Sequence, residues 1–278
     1  MNGAPCALKV SALEAAGAEG PLGARLYSGG EARVKKDGLI VFFHGGGFVS
    51  GDLDDADTFL RHLATCGRYQ VLASNYTLAT ERPFPAAVED AHAVLNWAKK
   101  HKAKLGWTGK QLIVAGIEAG ANLAAVCTLM ARDRGGPALA GQLLIMPMLD
   151  PALTSCSMRE VPVDPSRACV ANSCAASYRG YLPNAADRTH PYASPLQSSR
   201  LKNLPPALIL SADDDPLRDE AEQYAVKLEK FGVPTTHKRL SATPLDAPEG
   251  RNECACQGAA LTEIGVFLQS LDCPPTPS

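Results

Sequence analysis

The residues with the clearest chemical implication form the run 116–120, which reads Gly-Ile-Glu-Ala-Gly. Two glycines around a central residue are typical of a sharp strand-to-helix turn that holds the central side chain above the end of a sheet. A serine at the centre would present its hydroxyl for attack on an ester carbonyl. The central residue here is Glu118, so the turn is retained and a carboxylate stands where the attacking hydroxyl would be.

A second motif follows the apolar run at residues 39–43 and reads His44-Gly45-Gly46-Gly47-Phe48. Successive glycines let backbone N–H groups turn inward because no side chains are in the way. Such N–H groups stabilise the oxyanion that develops when a carbonyl carbon is attacked. We therefore predict an oxyanion hole formed by four residues, which are Gly45, Gly46, Gly47 and Ala119.

An acidic segment at residues 213–220 reads Asp-Asp-Asp-Pro-Leu-Arg-Asp-Glu and follows another apolar run. One carboxylate in it could orient a catalytic base. Asp219 and Glu220 also favour a helix N-terminus, where negative charge is stabilised. A helix-capping cluster without a catalytic role accounts for the same residues, so this segment alone leaves both interpretations open.

The elements that must position these residues follow from the apolar pattern. Continuous apolar runs predict buried strands at 39–43, 70–74, 111–115, 143–146 and 207–210. Helical spacing predicts helices at 60–66, 86–101, 119–131, 220–231 and 258–271. This alternation predicts an α/β fold with a mainly parallel sheet and helices on both faces. Outside it, we predict a loose arm or short helix at 1–21 with a strand at 22–27, and a cap-like insertion at 151–190.

With these motifs in place, the chain resembles the hormone-sensitive-lipase branch of the α/β-hydrolases. The further segments that carry the resemblance lie at residues 75–79, 83–90, 120–124, 191–196 and 215–220, in an order and spacing that match over 38–270. The resemblance implies one α/β-hydrolase domain over 1–278 with a twisted sheet and a small cap. It also implies esterase chemistry by a serine, an aspartate and a histidine, without a cofactor or metal. Asp215 matches the position of the family's acid.

Two departures bear on that chemistry. Glu118 stands at the serine position, and Ile117 precedes it where the family usually has aspartate. The family places its histidine downstream of the acid and before the last helix, but residues 241–258 contain none. His237 lies upstream of that stretch, on a predicted strand, so it is not expected to replace the missing base.

These departures lead to a main expectation and several alternatives. The main one is a non-catalytic or weakly active binder of a small apolar or acyl-ester-like molecule, as the plant gibberellin receptors of this fold are. The alternative is an active hydrolase that uses Glu118 as nucleophile or general base. A metal or acid–base pair of Glu118 with Asp215, and a regulatory role toward another protein, also remain open. Because helix N-termini stabilise anions, we further predict that the Glu118 carboxylate folds onto the N–H groups of Gly46, Gly47 and Ala119.

The remaining predictions concern the pocket and the partners. Phe48, His44 and Tyr181 are predicted to line the substrate site. A net charge of -2 without a basic stripe argues against nucleic acid as a partner. The chain shows neither a signal-peptide pattern nor an apolar run that could span a bilayer, and we predict a cytoplasmic protein. The family resemblance implies a homodimer. Nine cysteines without zinc-like spacing suit free thiols, and the role of the pair Cys254 and Cys256 stays open.

Overall fold

The computed structural model describes residues 8–29, 35–65, 69–159, 165–241 and 250–271, with the backbone alone for 165–168. Eight strands form one sheet in the order β1-β2-β4-β3-β5-β6-β7-β8. The strands are β1 Lys9–Ala16, β2 Pro21–Ser28, β3 Lys36–Phe43, β4 Tyr69–Ser74, β5 Trp107–Ile117, β6 Gly141–Ile145, β7 Ala207–Ala212 and β8 Thr235–Leu240. Strands β3 to β8 pair in parallel, while β1 and β2 are antiparallel to their neighbours.

The central strands are apolar along their whole length because both faces of the sheet are covered. In β3, Leu39, Val41 and Phe43 pack into the core on one face. Ile40 and Phe42, which alternate with them, pack into the core on the other. Side chains alternate between faces along a strand, so a continuous apolar run is what a strand between two helical layers requires. The predicted α/β-hydrolase architecture is confirmed.

Eight α-helices belong to the described part of the chain. They are α1 Asp57–Thr65, α2 Ala86–Lys100, α3 Ala119–Asp133, α4 Cys156–Arg159, α5 Pro165–Tyr181, α6 Arg218–Lys230, α7 Gly250–Ala255 and α8 Gly258–Ser270. Two short 3₁₀ helices lie at Ala185–Thr189 and Pro195–Gln197. None of the helices in the described ranges is long and apolar enough to cross a membrane.

The expectation of a loose arm or short helix at 1–21 is wrong where the structure describes it. Residues 9–16 form β1, which pairs antiparallel with β2 along its full length, from Lys9 opposite Ser28 to Ala16 opposite Pro21. An Ala-rich edge strand has little intrinsic strand signal. Its conformation depends on pairing with its neighbour, which local propensity does not show. Residues 1–7 lie outside the described part.

The insertion predicted at 151–190 contains a long helix that weak sequence periodicity did not reveal. Helix α5 ends at Tyr181, whose ring stacks on Phe48 with the ring centroids 3.8 Å apart. Phe48 belongs to the glycine loop that follows β3. Thus α5 packs directly over that loop. Residues 160–164 of the insertion lie outside the described ranges, and its role as a cap stays a prediction.

Candidate active site

Glu118 lies in the sharp turn between β5 and α3. Its backbone has φ 54° and ψ -113°, a left-handed conformation that costs a non-glycine residue about 1–3 kcal/mol. The two flanking glycines are required by close packing. A Cβ on Gly116 would overlap the backbone of Gly120, and a Cβ on Gly120 would overlap the carbonyl oxygen of Phe43. The turn therefore has the geometry that presents a central side chain above the sheet, as its sequence predicts.

The carboxylate of Glu118 points into the glycine loop after β3. The N–H groups of Gly46 and Gly47 donate hydrogen bonds to its Oε2 at 2.7 Å and 3.1 Å. This agrees with the prediction that the carboxylate folds onto these groups, except that the Ala119 N–H is not among its donors. Gly45 contributes space instead of a bond, because a Cβ there would lie 3.0 Å from Oε2.

The second oxygen of Glu118 contacts Arg251, which lies on α7. The distance from Arg251 Nη1 to Glu118 Oε1 is 3.2 Å. The same guanidinium holds Asp215 through two bonds, from Nε to Oδ2 and from Nη2 to Oδ1, each 3.0 Å long. Arg251 therefore connects the residue at the serine position with the residue at the acid position. Asp215 also caps its own turn, since it accepts the N–H of Leu217 at 2.9 Å.

These three side chains are withdrawn from solvent. The exposed fractions of the side chains are 14 % for Glu118, 11 % for Arg251 and 0 % for Asp215. Burial alone would lower the pKa of Arg251, but the carboxylates of Asp215 and Glu118 outweigh it and hold that pKa well above its usual value. The guanidinium is thus a permanent cation at neutral pH.

Sequence reasoning missed Arg251 because it searched the segment before the last helix for an imidazole. The segment 241–258 has no histidine, but Arg251 within it stands beside Glu118 and Asp215. The available signal in the sequence was an arginine, a long cationic side chain, shortly before α8. The guanidinium of an arginine can bridge two carboxylates by hydrogen bonds, at a place where a serine esterase has a histidine base.

The two histidines considered at the sequence level have other partners. His237 lies on β8, as predicted, and its Nε2 is 2.9 Å from the hydroxyl of Ser211 on β7. His44 Nδ1 bonds the carbonyl of Gly45 at 2.7 Å, and its ring stacks on Tyr76. Burial lowers the pKa of His44, so its imidazole is neutral at pH 7. Neither histidine takes the place of the family's base.

Phe48 and Tyr181, predicted to line the substrate site, are buried against each other. Both rings are fully covered, and Phe84 meets Tyr181 edge-on with the centroids 5.8 Å apart. This stack joins the glycine loop to the end of α5. Direct contact of either ring, or of His44, with a substrate stays a prediction.

A small cavity of about 80 Å³ opens beside the carboxylate. The cavity has room for water, since one molecule needs about 10–15 Å³ of such space. The charged residues at its wall are Asp55, Glu118 and Arg251, and the rest of the lining includes Ser50 and Asn252. Water or a small polar group can therefore reach the carboxylate.

Comparison with known proteins identifies the family. A model of the α/β-hydrolase fold family matches residues 40–246. The chain belongs to this family. It is similar to the esterase LipI of Mycobacterium tuberculosis, with 36 % identity over 233 residues that cover 82 % of this chain and 71 % of LipI. It is also similar to an arylesterase of Saccharolobus solfataricus, with 33 % identity over 254 residues that cover 86 % of this chain and 78 % of the relative.

The likeness extends to solved α/β-hydrolase structures. The thermostable carboxylesterase EstE1, cloned from a metagenomic library, superposes with a TM-score of 0.87 and 30 % identity. The match covers 97 % of this chain and 91 % of EstE1. An esterase from Pyrobaculum calidifontis superposes with a TM-score of 0.82 and 35 % identity, over 95 % of this chain and 85 % of that one.

These relatives correct the main functional expectation. A non-catalytic or weakly active binder of a small molecule was expected from the missing serine and histidine. That expectation is wrong, because the relatives in sequence and in structure carry the names of esterases. Two changed residues do not remove all chemistry from the site. The site contains a carboxylate, two N–H donors and a cation, and each of these groups has catalytic uses.

The contact between α5 and the glycine loop gives a first testable prediction. Gly47 has φ 61°, and a Cβ there would overlap the Ser177 hydroxyl of α5. Gly135 is a matched control, because it has φ 68° but no atom within 4 Å of its Cβ position. We expect Gly47→Ala to lower the free energy of unfolding by about 1–3 kcal/mol more than Gly135→Ala, since only the first adds overpacking to backbone strain. Urea denaturation measures both, and equal losses would contradict the packing of α5 on the loop.

Proposed function

We propose that this protein hydrolyses carboxylic esters and that Glu118 is its general base. The observation that carries the proposal is the position of the Glu118 carboxylate. It lies at the turn that presents the reactive group in this family and contacts the N–H groups of Gly46 and Gly47. A general base must reach the group that it deprotonates, and a cavity with room for water adjoins this carboxylate.

In this scheme an ester displaces part of the internal carboxylate. The substrate's carbonyl oxygen takes the N–H groups of Gly46 and Gly47 that now bind Oε2. Glu118 turns aside but keeps its contact with Arg251, which Asp215 holds in place with two hydrogen bonds. The N–H donors then stabilise the oxyanion while the carboxylate removes a proton from the attacking water.

A nucleophilic role for Glu118 is favoured less. Oε2 occupies the position that the substrate's carbonyl oxygen needs, because both oxygens accept hydrogen bonds from the same two N–H groups. If Glu118 were the nucleophile, an oxygen of its carboxylate would have to approach the carbonyl carbon from a direction other than the one in which Oε2 now lies. A general base needs only to stay within one hydrogen bond of a hydroxyl, so it can leave the donors free for the substrate.

The rate contributions of the general base and of the oxyanion donors can be compared with those of similar groups in other enzymes. A positioned general base contributes about 10²–10⁴ in rate. Removal of one oxyanion donor from an enzyme costs about 10²–10³ in kcat. Both contributions are available to this site without a histidine. A homodimer and a cytoplasmic location stay predictions.

The replacement of Glu118 by glutamine tests the proposal. Glutamine has the same shape but cannot accept a proton at neutral pH, so we expect Glu118→Gln to lower kcat for p-nitrophenyl acetate by at least about 100-fold. Glu229→Gln is the control, because Glu229 is an exposed residue of α6. A panel of p-nitrophenyl esters measured on the natural chain and both variants decides the result. Unchanged hydrolysis by Glu118→Gln would refute the role of Glu118.

An isotope experiment separates the two roles of the carboxylate. Turnover in heavy-oxygen water leaves the carboxylate of a general base unlabelled, because its oxygens never bond to the acyl carbon. A nucleophilic glutamate forms an anhydride, and water attack on the glutamyl carbonyl inserts heavy oxygen into Glu118. Peptide mass spectrometry after many turnovers reads the difference. Label on Glu118 would contradict the general-base mechanism but leave ester hydrolysis intact.

A further inference from the structure

Helix α7 contributes a second residue to the cavity beside Glu118. Asn252 directly follows Arg251, and both line this cavity of about 80 Å³ together with Glu118 and Gly46. The N–H group of Gly46 donates to Glu118 Oε2 at 2.7 Å, so it is one of the two donors that bind the carboxylate. The cavity therefore borders a cation, a carboxylate, an oxyanion donor and the residue that carries an amide.

The amide oxygen of Asn252 lacks a partner in the part of the chain that the structure describes. Its Oδ1 is buried and accepts no hydrogen bond from the described residues. Since no such bond fixes the oxygen, a half-turn of the amide can direct it into the cavity, where the amide nitrogen would otherwise lie. Most buried polar groups have a partner, and water supplies it where there is room. Water in this cavity can therefore be held by the amide.

Other polar side chains at the wall of the cavity already have partners. The hydroxyl of Ser50 donates to the carbonyl of Gly46 at 3.0 Å, and Asp55 Oδ2 accepts the N–H of Asp52 at 3.0 Å. The guanidinium bridges its two carboxylates. Both Ser50 and Asp55 are exposed, so the cavity has access to solvent. The amide of Asn252 thus remains available to orient a water molecule that enters.

We propose that Asn252 orients the water molecule that Glu118 activates. This inference rests on the proposed function, in which Glu118 is a general base, and it names the residue that holds the attacking water. One O–H group of the water donates to Glu118 and the other donates to Asn252 Oδ1. A lone pair of the water oxygen then points at the carbonyl carbon of an ester whose oxygen accepts the N–H of Gly46. Such fixed orientation of two reactants lowers the entropic part of the barrier.

The reaction proceeds without a covalent bond between substrate and enzyme. Glu118 accepts one proton of the water while the water oxygen forms a bond to the carbonyl carbon. The electron pair of the C=O bond moves onto the oxygen that the N–H groups hold. The bond from the carbon to the alcohol oxygen then breaks, and Glu118 returns the proton to the departing alcohol. The carboxylic acid leaves, and the Glu118 carboxylate is restored.

Replacement of Asn252 tests the proposal on the full chain. We expect Asn252→Ala to lower kcat for p-nitrophenyl acetate about 10-fold with little change in KM, as the loss of one hydrogen bond to the attacking water predicts. Asn252→Asp keeps an acceptor oxygen at the same distance from the backbone, so it should retain kcat within about 3-fold at neutral pH. Glu253→Ala is the matched control, since Glu253 is the next residue of α7 and is exposed.

Methanol provides a readout that a packing defect does not change. It has one O–H group, which it can donate to Glu118, and it needs no second acceptor. Its methyl group would lie where water contacts the amide, and alanine at position 252 leaves space there. We therefore expect the ratio of methyl acetate to acetate formed in aqueous methanol to rise about 10-fold in Asn252→Ala, because only hydrolysis loses the hydrogen bond. Gas chromatography measures both products, and partial unfolding would lower them in equal proportion.

Three results would overturn the proposal. The first is an unchanged kcat in Asn252→Ala. The second is a loss of kcat in that variant with the product ratio of the natural chain. The third is an Asn252→Asp variant as slow as Asn252→Ala, because an acceptor oxygen would then have no effect on the rate.

This proposal and the proposed function fail in different ways. If Glu118→Gln loses its activity while Asn252→Ala keeps both its rate and its product ratio, only the role of Asn252 is refuted. If Glu118→Gln keeps its activity, the general-base mechanism itself is refuted. A loss in Glu118→Gln together with a raised ratio in Asn252→Ala supports both assignments.

Discussion

A chain that carries both Glu118→Ser and Arg251→His will hydrolyse p-nitrophenyl acetate about 10³–10⁴-fold faster than a chain with Glu118→Ser alone. Arg251 contacts both Asp215 and Glu118, which is the relation that the histidine of a serine esterase has to its acid and its serine. The members of such a triad act as a unit, and the loss of one costs about as much as the loss of all. Glu118→Ser alone therefore gives little, and the added Arg251→His change completes the unit.

The pH dependence provides an independent signature of the restored unit. Histidine has an ordinary pKa of about 6.5, and it must be neutral to accept the serine proton. The rate of the double variant should therefore rise with pH through that range and then level off. The guanidinium of Arg251 does not titrate in that pH range, so the rate of the natural chain does not show this rise. Diethyl p-nitrophenyl phosphate should label position 118 in the double variant.

The single variants Glu118→Ser and Arg251→His serve as controls for this experiment. Circular dichroism must show that all three chains are folded before their rates are compared. If the folded double variant stays at the level of Glu118→Ser, position 251 is not the spatial equivalent of the histidine. The identification of Arg251 as its replacement would then be wrong.

Arg251→Met will lower the free energy of unfolding by about 3–5 kcal/mol, because it leaves a buried carboxylate without its cation. The side chain of Asp215 is fully covered, and two of its hydrogen bonds come from Arg251. Methionine keeps much of the volume of arginine but supplies neither charge nor donors. Removal of one partner from a buried ion pair is far more costly than the net contribution of the pair.

An exposed ion pair provides the matched control. Arg239 bonds Glu222 at the surface, and their side chains are 45 % and 32 % exposed. Arg239→Met should cost about 1 kcal/mol or less, since solvent replaces the lost partner. Adding Asp215→Asn to the Arg251→Met chain should recover part of the loss by removing the unpaired charge. Urea denaturation of the four chains measures this, and equal losses from both arginine variants would contradict the buried bridge.

Much of the fold was predictable from local pattern. The runs at 39–43 and 111–115 are continuous and apolar because they lie between two helical layers, and both are central strands. The turn at 116–120 was recognisable because its glycines are required by contacts with the backbone. Edge strand β1 and helix α5 were not, since the first is held by pairing with β2 and the second has weak periodicity.

The site was predictable only in part. The carboxylate of Glu118 lies on the N–H groups of Gly46 and Gly47, as expected from their donor chemistry. Arg251 contacts Glu118 from a segment far away in the chain, and Ser177 of α5 packs against Gly47. Neither residue belongs to a recognisable motif. Long-range contacts of this kind depend on the path of α5 and α7. No spacing rule relates them to residue 118.

The backbone conformation at Glu118 has a consequence for laboratory evolution. A positive φ at a non-glycine residue stores about 1–3 kcal/mol of strain, which glycine would release. A library screened for survival on heating alone would therefore enrich glycine at this position, because water can satisfy the two freed amides. Heat-resistant descendants would then lack the carboxylate. A screen of this protein should reward turnover and heat resistance together.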